Sequence, residues 1–139
     1  MKAKRAPLTR SEVMSRVKDR DTRPEMQVRR ALHAAGLRYR LHAKELPGRP
    51  DIVFRGAKLA IFVHGCFWHR HPGCQHTRTP KSRSDFWERK FDGNVERDAR
   101  QASELEAAGW TVMTLWECET RETAALVAFV DAVVERVAR

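Results

Sequence analysis

A chain of 139 residues, 42% apolar and 32% charged with a net charge of +9, has the makings of one folded core and not two. It has no run of about 18 apolar residues, which excludes a spanning helix, and its start, MKAKRAPLTR, lacks an apolar signal core, so a cytosolic protein is expected. The first 50 residues carry 14 Lys and Arg against 5 Asp and Glu while the rest balance at 13 of each, so the excess suits a basic arm that tracks nucleic-acid phosphates.

Residues 1–20 are polar and basic, with Leu8, Val13, Met14 and Val17 as the only sizeable apolar side chains. They predict a short, weakly packed helix or arm, capped at Ser11. A single domain is expected over residues 21–139. It opens on Asp21-Thr22-Arg23-Pro24-Glu25, where Thr22 as N-cap, Pro24 in the first turn and Glu25 three residues on make a capping-box pattern. Val28, Ala31, Leu32 and Ala35 follow at helical spacing, and Gly36 ends the helix.

Leu37, Tyr39 and Leu41 alternate with Arg38 and Arg40 as in a half-buried strand. Leu46-Pro47-Gly48 turns the chain into a short strand, Asp51 to Phe54, and Arg55-Gly56 turns it again into Lys58 to Val63. A polar loop is expected from Gln75 to Arg83. A long helix then runs from a cap at Ser84 or Asp85 to about Ala108, weakened in its middle by Gly93 and Asn94. Trp110 to Trp116 alternates as a strand, and Thr120 opens a last helix with Leu126, Phe129, Val130, Val133, Val134 and Val137 on its inner stripe. That order predicts an α/β domain with a mixed central sheet flanked by helices.

The chemistry concentrates between Ala60 and Cys74, AIFVHGCFWHRHPGC. Cys66, His71 and Cys74 lie within nine residues, and Cys118 ends a strand able to run beside the one before this loop. Three thiolates and one imidazole suit a closed, structural zinc site, and spacing alone leaves His69 and His76 open as the fourth ligand. Asp51 at the head of one strand and His64 and His69 at the tail of its neighbour can share a cleft. There a divalent ion on the carboxylate would hold a phosphate oxygen while a histidine, oriented by Glu25, takes a proton from water. Phe67 and Trp68 read as exposed aromatic bulk able to wedge between base pairs, with Trp87 and Met14 as partners.

PGRPDIVF, IFVHGCFWHRH, FWERK, NVERD and the GW and WEC pairs stand in an order that resembles the very-short-patch-repair (Vsr-type) DNA mismatch endonucleases over roughly residues 8 to 120. The resemblance implies a variant of the type II restriction-endonuclease fold with a structural Zn²⁺. It also implies Mg²⁺-dependent nicking of double-stranded DNA 5′ to the mispaired T of a T·G mismatch, the lesion left when 5-methylcytosine deaminates. Asp51 then becomes the Mg²⁺ ligand, His69 the general base supported by Glu25, and His64 a contact to the scissile phosphate. Cys66, His71, Cys74 and Cys118 become the zinc ligands. Phe67, Trp68 and Trp87 become a wedge on the major-groove side, with Met14 and the basic arm in the minor groove.

Val63 stands where the family commonly has a threonine, so it would serve Mg²⁺ only through its backbone carbonyl. HRHPGC places one extra residue before Cys74, so the zinc loop should bulge. A monomer in the cytoplasm, associated with the nucleoid and followed by downstream repair factors, completes the expectation. A restriction-type endonuclease cutting paired DNA and a non-catalytic, zinc-stabilised DNA-binding module are the rival readings, separable by a nicking assay with Mg²⁺.

Overall fold

The structure is a computed structural model in which residues 21–75 and 77–138 are described. The basic arm, Met14 and His76 lie outside the described residues. Helix α1 (Arg23–Ala34) begins as expected: the Thr22 hydroxyl accepts the Glu25 N–H at 3.3 Å, and Pro24 sits in the first turn. The capping box does not close on Thr22, because the Glu25 carboxylate accepts the Asp21 N–H instead, at 3.2 Å.

Four strands follow the order β1-β2-β3-β4: β1 (Arg40–Leu41), β2 (Ile52–Phe54), β3 (Leu59–His64) and β4 (Thr111–Trp116). The first two pairings are antiparallel and β3–β4 is parallel, in the register Leu59↔Thr111 to His64↔Trp116. The parallel pair needs a crossover, and α3 (Ser84–Ala107) supplies it. The mixed sheet flanked by helices is the architecture the sequence predicted. The first strand is shorter than its alternation suggested, with only Arg40 and Leu41 in the ladder.

Alternation along β2 and β3 splits the core into two layers. Ile52, Phe54, Leu59 and Ile61 meet Val28 and Leu32 of α1 and Phe129 and Val133 of α5 (Thr123–Ala138). Val53, Ala60 and Phe62 point the other way, onto Leu105 of α3. Both faces are covered, which is why these strands read as continuous apolar runs. Helix α5 starts at Thr123 and not at Thr120, which closes the short helix α4 (Glu117–Thr120). Val134, placed on its inner stripe by the sequence, is 37% exposed, whereas Phe129 and Val133 carry the packing.

Two further corrections touch the site. Ser84 and Asp85 do not cap α3: Arg83 holds the N-cap position at φ 56° with no side-chain cap bond. The stretch Cys66–His69, expected as loop, is a one-turn helix, α2, ended by Arg70 in the left-handed region at φ 57°. Helix α3 runs unbroken through Gly93 and Asn94, and Asn94 has a tertiary partner. Its side-chain amide donates to the Trp68 carbonyl at 3.1 Å, pinning α2 against the long helix.

The sheet brings the chemistry to one edge. Because β2 runs against β3 with Ile52 opposite Ile61, the head of β2 lies beside the tail of β3, and β4 ends at the same level. Asp51, His64 and the Glu117–Cys118 pair therefore converge. The turn before Asp51 depends on Gly48, at φ +77°, where a Cβ would lie 2.9 Å from Gln101 Oε1 and 3.1 Å from Phe62 Cζ.

Candidate active site and metal centre

Asp51 is held at the head of β2. Its Oδ2 accepts the Val63 N–H at 2.8 Å, tying the carboxylate to the end of β3. Burial, then the carboxylate of Glu25 beside it, outweigh that hydrogen bond and push Asp51 up to about 7. Two carboxylates drawn together in a desolvated corner have the electrostatic character of a cation site.

Glu25, 1% exposed, does not reach His69. Its Oε2 lies 3.0 Å from His42 Nε2 and 3.1 Å from Arg29, which corrects the expectation that it orients the catalytic histidine. The carboxylate at His69 is Asp98 of α3: its Oδ2 stands 2.5 Å from His69 Nδ1. Burial works to raise Asp98, but the hydrogen bond from His69 and the charges of His69, His64 and Arg97 prevail and hold it below the ordinary carboxylate range.

His64, the last residue of β3, stacks on His69 with ring centroids 3.9 Å apart and planes 5° from parallel. Desolvation first, then His69 and Arg97 against the opposing pull of Asp98, lower His64 to about 4. It is therefore a neutral imidazole near pH 7.

Asp51, Val63, His64, His69 and Asp98 line one open cleft of about 810 Å³, together with the basic side chains Lys44, Arg49, Lys90 and Arg97. Asp98, the last residue of NVERD, was given no role in the sequence reading. Nor was a site role given to Trp116, whose ring stacks on His71 at 4.4 Å and meets His64 edge-on at 5.3 Å, joining this site to the next.

Cys66, His71, Cys74 and Cys118 form a group whose ligand atoms all lie within 4.8 Å of one another, a possible metal-binding set. His71 Nδ1 is 3.7 Å from Cys66 Sγ and 3.4 Å from Cys118 Sγ, and the Cys118 N–H also donates to Cys66 Sγ at 3.4 Å. His69 belongs instead with His64 and Asp98 in a separate cluster. Desolvation, followed by the neighbouring Cys66 and Cys74, pushes the Cys118 thiol up to about 12, as expected of thiols crowded together without a countercharge. Before Cys74 the chain makes a Pro72-Gly73 turn with Gly73 at φ +71°, closed by the Cys74 N–H to the His71 carbonyl at 3.3 Å.

The aromatic residues are not the exposed bulk the sequence suggested. Phe67 packs edge-on to Trp68 at 5.0 Å and to Phe91 at 5.0 Å, and Trp87 is 7% exposed and stacked on Phe91 at 5.7 Å. They form one half-buried cluster between α2 and α3, from which Trp68 reaches the cleft wall.

Comparison with known proteins identifies the chain's relatives. A family model described as DNA mismatch endonuclease Vsr matches residues 3–76. The type II nicking enzyme V.XorIIP of Xanthomonas oryzae pv. oryzae is 49% identical over 121 residues, covering 87% of this chain and 88% of the relative. The type II nicking enzyme V.NmeAIP of Neisseria meningitidis is 44% identical over 115 residues, 83% of this chain and 81% of the relative. The DNA mismatch endonuclease Vsr of Escherichia coli is 43% identical over 113 residues, 81% of this chain and 72% of the relative. The site is thus that of an enzyme, a nuclease acting on DNA. Within that class the chain belongs to the DNA mismatch endonuclease Vsr family. No helix among the described residues is long and apolar enough to cross a membrane.

Proposed function

We propose that this protein is an Mg²⁺-dependent, strand-specific endonuclease that nicks double-stranded DNA 5′ to the mispaired T of a T·G mismatch, starting very short patch repair. The observation that carries this reading is the 2.5 Å contact between Asp98 Oδ2 and His69 Nδ1 on the wall of the cleft that Asp51 also lines. With Nδ1 engaged by the carboxylate, His69 presents Nε2 as the base that takes a proton from the attacking water. The water oxygen then bonds to phosphorus as the bond to the 3′ oxygen breaks, that oxygen leaving as an alkoxide that takes its proton from solvent water, and His64 donates a hydrogen bond to the same phosphate as a neutral imidazole. Asp51, with the Val63 carbonyl and Glu25 nearby, would hold Mg²⁺. When bound, Mg²⁺ offsets the negative charge that builds on the phosphate oxygens. The crowded carboxylates of Asp51 and Glu25 suit that cation.

Zinc is the ion we assign to Cys66, His71, Cys74 and Cys118. With Zn–S near 2.3 Å and Zn–N near 2.0–2.1 Å, a tetrahedral site puts S and N about 3.6 Å apart, against 3.4 and 3.7 Å here. Bound there, it clamps α2 to α4 and so fixes the base. Trp68, which reaches the cleft wall, opens a mispaired step from the major-groove side with Phe67 and Trp87 packed behind it, and Met14 with the arm of residues 1–20 grips the minor groove. The unstacking cost, on the order of a few kcal/mol per step, is lower at a mismatch, which supplies part of the selectivity. The remaining assignments are a variant restriction-endonuclease fold, a monomer, action at the nucleoid in the cytoplasm and hand-over to downstream repair factors.

One assay tests the reading: Mg²⁺-dependent nicking of a T·G duplex and of its fully paired twin. A nick only in the T-containing strand of the mismatched duplex is expected. Cutting of both strands of paired DNA supports a restriction enzyme, and no cleavage of either supports a binding module.

A further inference from the structure

The structure assigns His42 as the positioning residue that holds Glu25 beside Asp51, a role that rests on the reading of Asp51 as the cation ligand. His42 touches both acidic elements at once. Its main-chain N–H donates to the Asp51 carbonyl at 3.0 Å, and the next residue repeats the contact, Ala43 N–H to the Pro50 carbonyl at 3.2 Å. Its ring Nε2–H donates to Glu25 Oε2 at 3.0 Å. One residue therefore links the head of β2 to the first turn of α1.

The backbone at His42 is in the left-handed region, φ 47°, which a residue with a Cβ adopts only where its surroundings insist. Glu25 has little freedom as long as these contacts persist. Oε2 is shared between His42 and Arg29 at 3.0 and 3.1 Å, and Oε1 accepts the Asp21 N–H at 3.2 Å. Without the imidazole, Oε2 is left to Arg29, which also pairs with the half-exposed Asp21 at 2.8 Å, and to the Asp51 carboxyl group. Repulsion from Asp51 then favours swinging the Glu25 carboxylate away along that guanidinium, and a cation at Asp51 loses its second negative neighbour. Arg29, already at hydrogen-bond distance from two of the carboxylates, makes the Asp21–Glu25–His42 cluster an ion-pair network and not a metal site of its own.

The test is binding of Mn²⁺, a spectroscopically visible stand-in for Mg²⁺, to the full-length, zinc-replete protein without DNA, read by electron paramagnetic resonance. H42N keeps a residue type that tolerates left-handed backbone but is too short to reach Glu25, whereas H42Q restores an N–H at ring-nitrogen reach. H42N should weaken Mn²⁺ binding about tenfold, the scale of losing one hydrogen bond to a charged group, and H42Q should stay within about threefold of the native chain. Equal losses in both variants, or native affinity in H42N, would overturn the assignment. Asp51→Asn separates the two failures. If it abolishes Mn²⁺ binding while H42N does not weaken it, only the His42 role falls. If Asp51→Asn binds Mn²⁺ like the native chain, the Asp51 reading falls and takes the His42 role with it.

Discussion

Asp98→Asn removes one charge and almost no volume, so it isolates what the carboxylate does for His69. In the native protein the two side chains are 18% and 24% exposed and 2.5 Å apart, close enough for a strong, charge-assisted bond once His69 is protonated. Asparagine can meet Nδ1 in two ways. If its oxygen faces the ring, the productive tautomer survives and only the charge stabilising the new imidazolium is lost. If its amide faces the ring, the proton moves to Nε2 and the base is disabled. General-base contributions of about 10²–10⁴-fold bracket these cases, which is about 3–5.5 kcal/mol on the barrier. The expected result is a single-turnover nicking rate on pre-bound T·G duplex at least about a hundredfold below native, with duplex affinity unchanged. His69→Ala should fall as far, and the double variant should fall no further than His69→Ala alone, since residues that act as one unit are not additive. A rate for Asp98→Asn within about threefold of native would refute the assignment, and so would additive losses.

Metal analysis should find one zinc per chain, and Cys118→Ser should lose it together with thermal stability; a folded, metal-free native protein would exclude the site. Trp68→Ala should weaken discrimination between T·G and paired duplexes more than total affinity, so equal losses on both in a binding titration would remove the wedge. Asp51 is raised in the folded state, so its contribution to stability is full below about pH 4 and is lost as pH rises toward about 7, while the lowered His64 acts in the opposite direction, losing stability as pH falls from about 6.5 to 4. The two oppose each other in the native chain, so the measurement is a difference. In the absence of divalent cations, Asp51→Asn should gain stability relative to native as pH rises between 4 and 7, at up to about 1.4 kcal/mol per pH unit, and denaturation curves with no pH-dependent difference would contradict the buried carboxylate.

The parts of the site that were legible in sequence are those whose signal is local. The Cys/His group, apart from Cys118, announces itself within nine residues, and the Arg55-Gly56 hairpin set Asp51 beside the histidines. Glu25 misled because a capping position already explained it. Asp98 was missed for a different reason. Along α3, Trp87, Phe91, Asn94, Asp98, Gln101 and Leu105 follow a 4-3-4-3-4 spacing, one continuous inward stripe. Read as a weakened middle, Asn94 concealed what the spacing says: three polar residues, Asn94, Asp98 and Gln101, intrude on a face that should be apolar, and Asn94 finds its partner in the Trp68 carbonyl and Asp98 in His69. The aromatic residues were read as exposed because their segment was read as loop. Once α2 turns them toward the same stripe, Phe67 and Trp87 have Phe91 to pack on.

The stacked histidine pair fixes how charge moves in the reaction. Two imidazolium rings 3.9 Å apart and parallel would repel strongly in a half-buried wall, so the pair accommodates one proton at a time. Desolvation and His69 keep that proton off His64 down to about pH 4, and among the described residues the carboxylate in hydrogen-bond contact with the pair, Asp98, is on His69. On the proposed mechanism the proton taken from water therefore has a prepared place beside Asp98, and the His64 ring, assigned to the phosphate, stays neutral throughout. A lysine in the place of His64 would bring a permanent positive charge against the base and make proton uptake by His69 harder. A neutral donor there keeps a hydrogen bond to the phosphate without opposing the base, and it leaves neutralisation of the developing charge to the corner where Asp51 and Glu25 crowd together.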